Sequence, residues 1–220
     1  RAARGEDGKT HYVPADMKYR EWGKKFVGRE AEESPRKATN GSYGVKWPRI
    51  QSPEYRESLE KLSNDPKVVD AIETRARWAL SNRDGSKTEE IYAVSLETGK
   101  EIARIADQKT EYGIHRSEAF TKKLSAVDQD GEQILLIHNH PRGLPPSISD
   151  INVLLENKNA TGITVGHDGS LYRYTRPQKE IPKTDFLVAL RKYSQYTETT
   201  NIEKALDELS SEYGFRIEKL

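Results

Sequence analysis

Two histidines and an aspartate in a short segment of the chain could bind one divalent metal ion. His138 and His140 are separated by one residue, and Asp150 follows them. The preceding residues, 133–137, are short, mostly apolar and rich in strand-forming types, which predicts a buried strand. Side chains on a strand alternate between its faces, so we expect the two imidazoles to point together and Asn139 to point away.

The residues after this strand predict how the Asp150 carboxylate comes close to the two imidazoles. Pro141 cannot continue an interior ladder and should end the strand. Residues 142–146 are typical of a rigid loop, and Ser147 precedes an apolar, helix-like run. Asp150 then lies in the first turn of a helix that faces the strand end. Three protein ligands leave a fourth tetrahedral position for water, which is the pattern of catalytic zinc sites.

The same residues have an ordinary structural explanation. Ser147-x-x-Asp150 before apolar residues is a common helix start, with Ser147 as N-cap and an acid at the third helical position. A lone His-x-His pair is often a coincidence. The two interpretations are compatible, because one serine can cap a helix and still face a site. The combination of strand end, proline and acid favours the metal site.

Composition excludes several classes of site. The 220 residues carry a formal net charge of +1, which gives no case for nucleic-acid or membrane-surface binding through bulk charge. The chain contains no cysteine, so disulfides, thiolate zinc sites and a cysteine nucleophile are excluded. Any metal ligands must therefore be His, Asp or Glu. No apolar run approaches the roughly 18 residues of a membrane span, and no secretory signal is present.

Residues 89–175 resemble the JAMM/MPN metallopeptidase domains, and in particular their RadC-like branch. The resemblance rests on Ile137-His138-Asn139-His140-Pro141 and Ser147-Ile148-Ser149-Asp150. The family pattern is His-x-His-Pro, a spacer and Ser-x-x-Asp. The spacer here is five residues, slightly shorter than usual. A longer spacer ending at Ser149 would require Asp at Asn152, so the alignment on Ser147 and Asp150 is the better one.

The resemblance implies a fold, a zinc ion and a set of roles. The fold is α/β, a JAMM/MPN-like (cytidine-deaminase-like) mixed β-sheet flanked by helices. His138, His140 and Asp150 would bind Zn²⁺, and Ser147 would stabilise the oxyanion. An upstream glutamate would act as general base. The family register favours Glu89 for this role, while Glu90 is its neighbour and points to the opposite face of the strand.

The implied activity is that of a zinc-dependent peptidase or isopeptidase acting on a protein or peptide substrate. Two rival functions remain open at this point. One is a non-catalytic MPN-like binding or scaffold protein, and the intact set of metal ligands argues against it. The other is a RadC-like nucleic-acid-processing protein, against which the near-zero net charge argues.

The chain divides into an extended N-terminal segment (1–50), the JAMM/MPN-like domain with leading helices (51–182) and a C-terminal helical extension (183–220). Residues 53–80 are predicted to form two helices, 53–63 and 66–80, or one helix broken at 64–66. The other predicted helices are 116–129, 148–158, 185–193 and 202–213, and the predicted strands are 87–96, 102–106, 133–138, 162–166, 171–175 and 215–220. The C-terminal extension is expected either to pack on the domain or to bind a partner. His115 and His167 are expected to be solvated rather than to be metal ligands.

Residues 11–26 are similar to phage minor head proteins of the MuF type, and Asp16 would begin a short helix there. An unremarkable linker with one amphipathic turn is the alternative. The chain begins at Arg1, so we expect it to be part of a larger parent polypeptide. The MuF resemblance implies an effector or toxin module associated with a phage head or portal assembly. Such a module would act in the virion or in the cytoplasm of the bacterial host.

Overall fold

A six-stranded mixed sheet forms the centre of the protein. The computed structural model describes residues 2–4, 10–12, 43–106, 114 and 116–220. The first two strands, β1 (Ala2–Arg4) and β2 (Thr10–Tyr12), form a separate antiparallel pair. The predicted helix at Asp16, most of the MuF-like segment and His115 lie outside the described residues.

The central sheet has the order β4-β3-β5-β6-β7-β8. Its strands are β3 (Ile91–Ser95), β4 (Glu101–Ile105), β5 (Ile134–His140), β6 (Ala160–Gly166), β7 (Leu171–Thr175) and β8 (Ile217–Lys219). The pair β5 and β6 is parallel, and the other neighbours are antiparallel. The prediction of an α/β fold built on a mixed sheet is confirmed.

Helices cover both faces of this sheet. They are α1 (Trp47–Ile50), α2 (Pro53–Glu60), α3 (Pro66–Arg83), α4 (Glu118–Gln129), α5 (Ile148–Val153), α6 (Lys183–Lys192) and α7 (Glu198–Tyr213). One apolar core joins α1, α2 and α3 to one face of the sheet. A second core joins α4, α5, α6 and α7 to the other face. Within the described ranges, no helix is long and apolar enough to span a membrane.

Helix starts follow the capping signals of the sequence. Ser52 and Asp65 each cap a helix whose first residue is proline, and these helices are α2 and α3. In contrast, α5 is shorter than predicted and ends in a 3₁₀ turn, Leu154–Glu156. The Asp128 carboxylate accepts hydrogen bonds from the backbone N–H groups of Lys158 (3.0 Å) and Asn159 (2.7 Å). These bonds turn the chain into β6 and prevent the helix from continuing.

Segments on both sides of residues 51–182 pack into the same two cores. Ile50 in α1 is fully buried, and the Lys46 N–H donates to the His167 carbonyl over 2.7 Å. At the other end, Leu206 and Phe215 are buried in the core on the α4–α7 face, and β8 pairs with β7. The C-terminal helices therefore cover part of one face of the sheet. They also help to shape the cleft described next.

Candidate metal centre

The carboxyl end of β5 presents different side chains to the two faces of the sheet. Ile134 and Leu136 belong to the core on the α4–α7 face, while Leu135 and Ile137 belong to the other core. By the same alternation, His138 and His140 face α5, and Asn139 faces α3. All three of these side chains are buried.

His138, His140 and Asp150 converge at this strand end. The two Nε2 atoms are 3.0 Å apart. The Asp150 carboxylate approaches both rings, with Oδ1 3.5 Å from His138 Nε2 and Oδ2 3.5 Å from His140 Nε2. One ligand atom from each of the three residues lies within 4.8 Å of the other two, so the group could hold a metal ion. The predicted convergence of these residues is confirmed.

These distances fit a tetrahedral ion well. Zinc binds imidazole nitrogen at about 2.0–2.1 Å, so two tetrahedral nitrogen ligands should be about 3.3 Å apart. The Nδ1 atom of His140 lies 2.7 Å from the Leu144 carbonyl, which accepts its hydrogen bond and leaves the Nε2 lone pair for a ligand. Nδ1 of His138 is buried and has no hydrogen-bond partner among the described residues. The hydroxyl of Thr164, its register partner on β6, is likewise buried and unpaired within that part of the chain.

A capping box at the start of α5 holds Asp150 in place. Its Oδ2 accepts hydrogen bonds from the backbone N–H of Ser147 (2.7 Å) and from the Ser147 hydroxyl (2.8 Å). The Asp150 N–H donates back to that hydroxyl over 3.2 Å. The helix cap and the site therefore share the same two residues, and Oδ1 remains directed towards His138.

Neighbouring charges shift the pKa values of His140 and Asp150. Burial lowers the pKa of His140, but the contact with Asp150 and its charge outweigh burial and raise that pKa to about 9. Burial raises the pKa of Asp150, but the two histidines outweigh it and hold that pKa well below its usual range. Asp150 and His140 thus stabilise each other in their charged forms.

Glu89 and Glu90 lie on opposite faces of the sheet. Glu89 is buried and lines the same cleft as the two histidines. Burial raises the pKa of its carboxyl, while the charges of His140 and His138 oppose that rise. Glu90 is fully buried on the α3 face, where Tyr92 and Asn82 donate hydrogen bonds to its carboxylate.

A cleft of about 560 Å³ opens from the group of His138, His140 and Asp150 towards the solvent. Its floor is the strand end with Glu89, His138 and His140, and Ser147 lies at its rim. The walls are largely apolar and come from five parts of the chain: Ile91, Leu144, Val153, Phe186 and Ile202. The C-terminal helices α6 and α7 supply the last two of these residues.

A second polar cluster lies behind the site, on the α3 face. Asn139 accepts a hydrogen bond from the Glu90 N–H (2.7 Å) and donates to the Thr88 carbonyl (3.2 Å) and to His167 Nε2 (3.1 Å). His167 Nδ1 donates to the Tyr43 carbonyl over 2.7 Å. The expectation that His167 is solvated is wrong, because a segment distant in sequence covers it. His167 is not part of the group of His138, His140 and Asp150.

Tyr174 is a residue of the cleft that sequence reasoning missed. It is 1% exposed, and its ring lies edge-on to that of His138, with centroids 6.3 Å apart. Burial raises the pKa of its phenol well above the ordinary value, and the charges of Asp150 and Glu89 raise it further. The phenol therefore stays protonated. The alternation of β7 and the glycine at position 162 of β6 are the sequence signals that could have indicated it.

Comparison of the chain with models of protein families, with curated proteins and with solved structures found no match. The assignment of a function therefore depends on the fold and on the chemistry of this site.

Proposed function

We propose that the protein is a zinc-dependent peptidase or isopeptidase of the JAMM/MPN type, with a RadC-like domain. The observation that carries the proposal is the buried group of His138, His140 and Asp150 at the base of a cleft that also contains Glu89. The His-x-His-Pro and Ser-x-x-Asp motifs support the family. The three candidate ligands of these motifs lie close together at one strand end, which supports the proposal.

The chain supplies the ligands and a base. His138, His140 and Asp150 would hold the ion, since two imidazoles and a carboxylate suit zinc. When bound, Zn²⁺ acts as a Lewis acid and lowers the pKa of water to about 7. Glu89 accepts the proton of the attacking water and delivers it to the leaving amine nitrogen. The raised pKa of this carboxyl suits the task, because a general base works best when its pKa is near the operating pH.

Ser147 is proposed to donate a hydrogen bond to the carbonyl oxygen of the substrate as negative charge builds there. Its hydroxyl proton points at Asp150 Oδ2 in this structure. Donation to the substrate requires that this proton turn towards the cleft. Ser147 therefore has two proposed tasks, to orient Asp150 and to assist the reaction.

The walls of the cleft support a peptide substrate over a nucleic acid. Two arginines lie at the rim, and each is paired with a glutamate. Arg116 makes hydrogen bonds of 2.7 and 2.9 Å with Glu156, and Arg142 forms a two-point ion pair with Glu198. Since neither guanidinium is free to meet a phosphate, and the walls are apolar, the cleft suits an extended peptide segment.

We also propose the phage context for this activity. The MuF-like residues 11–26 are its basis, and they lie mostly outside the described part of the chain. The module would be a head-associated effector, with its substrate in the virion or in the host cytoplasm. Detection of the chain in purified virions by mass spectrometry would support this context.

A peptide-profiling experiment tests the activity. Zinc-loaded protein is incubated with peptides derived from a bacterial proteome, and new termini are identified by mass spectrometry. We expect cleavage that stops on chelation, returns with zinc and is absent in Asp150→Ala. Asp130→Ala, which alters an exposed aspartate after α4, is the matched control and should cleave normally. Fully zinc-loaded protein that produces no new termini would count against the proposal.

A further inference from the structure

We propose that Tyr174 is a further catalytic residue of this cleft, and that its phenol O–H donates a hydrogen bond to the carbonyl oxygen of the bound substrate. The inference rests on the proposed peptidase function. It assigns a hydrogen-bond donor for the carbonyl oxygen of the substrate. Unlike the Ser147 hydroxyl, this donor does not first have to leave a hydrogen bond within the protein.

The first argument is how Tyr174 reaches the site. Tyr174 on β7 is the register partner of Gly162 on β6, and Gly162 is in turn the partner of Leu136 on β5. A Cβ atom at position 162 would overlap with the tip of the Tyr174 ring, including its hydroxyl. The ring therefore lies across β6, in space that only glycine leaves open. This crossing carries the phenol from β7 towards the histidines of β5.

The second argument is what surrounds the phenol. The Tyr174 ring meets the His138 ring at an interplanar angle of 81°, and the charges of Asp150 and Glu89 both act on its hydroxyl. These are the members of the site that would hold the metal and accept the proton. The phenol therefore belongs to the same cleft as these residues.

The third argument is that the hydroxyl is unpaired. Within the described part of the chain it makes no hydrogen bond, although Tyr174 is 1% exposed and lines the cleft. Tyr172, on the same strand and the same face, instead donates to Glu203 over 2.7 Å. The hydroxyl itself is not fully enclosed by protein atoms, so its donor opens on the cleft and is available for a ligand.

The reaction that this donor would assist is balanced as follows. The oxygen of water bonds to the carbonyl carbon, and the π electrons move to the carbonyl oxygen. Glu89 takes the proton of that water. When the C–N bond breaks, the carbonyl re-forms and Glu89 passes the proton to nitrogen. Tyr174 keeps its own proton throughout and stabilises the negative oxygen by its hydrogen bond.

A binding experiment tests the inference without a known substrate. Benzylphosphonate is the probe, because its tetrahedral oxygens resemble the charged intermediate and its ring suits apolar walls. Its dissociation constant is measured by calorimetry on zinc-loaded wild type, Tyr174→Phe and Tyr172→Phe. We expect Tyr174→Phe to weaken binding about 10- to 100-fold with zinc content unchanged. Tyr172→Phe should remain within about twofold of wild type.

A second variant distinguishes the loss of this hydrogen bond from a general loss of structure. Gly162→Ala places a methyl group against the phenol and should displace it. It should weaken binding in the wild-type background but cause no further loss in the Tyr174→Phe background. Thermal unfolding of each variant verifies the fold.

The outcomes separate the two proposals. Equal binding of benzylphosphonate by wild type and Tyr174→Phe would overturn the role of Tyr174 and leave the peptidase proposal standing. A wild-type protein that cannot be loaded with zinc would overturn both. Zinc-loaded wild type that does not bind the probe would overturn the role of Tyr174 alone.

Discussion

The carboxyl end of β5 contributes side chains to two polar clusters, one on each face of the sheet. On the α3 face, Asn139, His167 and Glu90 form a cluster in which every side-chain donor and acceptor has a protein partner. On the α5 face, His138 and His140 bring two Nε2 atoms within 3.0 Å of each other. There, His138 Nδ1 and the Tyr174 hydroxyl have no partner among the described residues.

The contrast separates structural from functional polar groups. A buried network whose members are all hydrogen-bonded stabilises one packing arrangement. A buried group with converging lone pairs and unpaired donors is costly unless a ligand completes it. Under this proposal, residues 138 to 140 alternate between metal binding and a structural role with the period of the strand.

The two neighbouring glutamates give the sharpest functional test of this contrast. Glu89→Gln should keep the metal and lower peptide cleavage by about 10²- to 10⁴-fold, because the proton acceptor is lost. Glu90→Gln is the matched control on the opposite face. It should cleave normally and lose about 1–3 kcal/mol of unfolding free energy. Full activity in Glu89→Gln together with loss in Glu90→Gln would reverse the assignment.

The pH dependence of metal affinity tests the electrostatics of the α5 face. A metal ligand must be a neutral imidazole, and the pKa of His140 is about 9 without metal. Zinc affinity should therefore rise about tenfold per pH unit between about pH 6.5 and 9, as measured by competition with a chelator. An affinity that does not change with pH over this window would contradict the coupling of His140 to Asp150.

The same shift predicts how the metal-free protein responds to pH. The pKa of His140 is raised from 6.5 to about 9, so the charged form stabilises the fold. This contribution is fully present below about pH 6.5 and is lost as the pH rises through about 9. Metal-free Asp150→Ala, which lacks the partner, should show a flatter profile of urea stability over this range.

Asn139→Ala tests the polar cluster on the α3 face. It removes the partners of the Glu90 N–H, the Thr88 carbonyl and His167 Nε2, and should lower the unfolding free energy by about 3 kcal/mol. Zinc affinity should fall by no more than about tenfold, since Asn139 does not touch the ion. Asn64→Ala, at an exposed position, is the control and should leave urea unfolding unchanged. A large loss of zinc affinity without a loss of unfolding free energy would contradict the separation of the two clusters.

The smallest effect is expected at the capping box. Ser147→Ala should cost about 1 kcal/mol of unfolding free energy, because the first turn of α5 loses its cap. Zinc affinity should fall about tenfold, since Asp150 loses an orienting donor. Ser149→Ala, an exposed neighbour in the same helix, should change neither quantity. Equal behaviour of the two serine variants would show that Ser147 does not position Asp150.

Local signals were sufficient to predict that His138, His140 and Asp150 lie close together. The apolar run before His138, the stop at Pro141 and the cap at Ser147 are all short-range features, and the strand and helix form as they indicate. Strand alternation likewise predicted that Asn139 faces away from the two imidazoles. The mixed sheet was implied by the family resemblance, and the order of the predicted elements agrees with it.

Long-range contacts explain what the sequence did not predict. His167 is buried because Tyr43, far away in the chain, covers it and accepts its hydrogen bond. Tyr174 enters the cleft only through the register of β7 against β6, which no local pattern specifies. The cleft walls at Phe186 and Ile202 come from helices beyond the recognisable motif. Each of these depends on how distant segments pack.

The central claim is that the α5 face of β5 holds a divalent metal ion and the α3 face does not. The most direct test is the metal content of wild type, His140→Ala and His167→Ala, purified without a metal-binding tag and measured by elemental mass spectrometry. We predict about one zinc per chain in wild type and in His167→Ala, and little in His140→Ala. Wild-type protein that retains no metal after zinc is added would contradict the account, as would equal zinc in all three proteins.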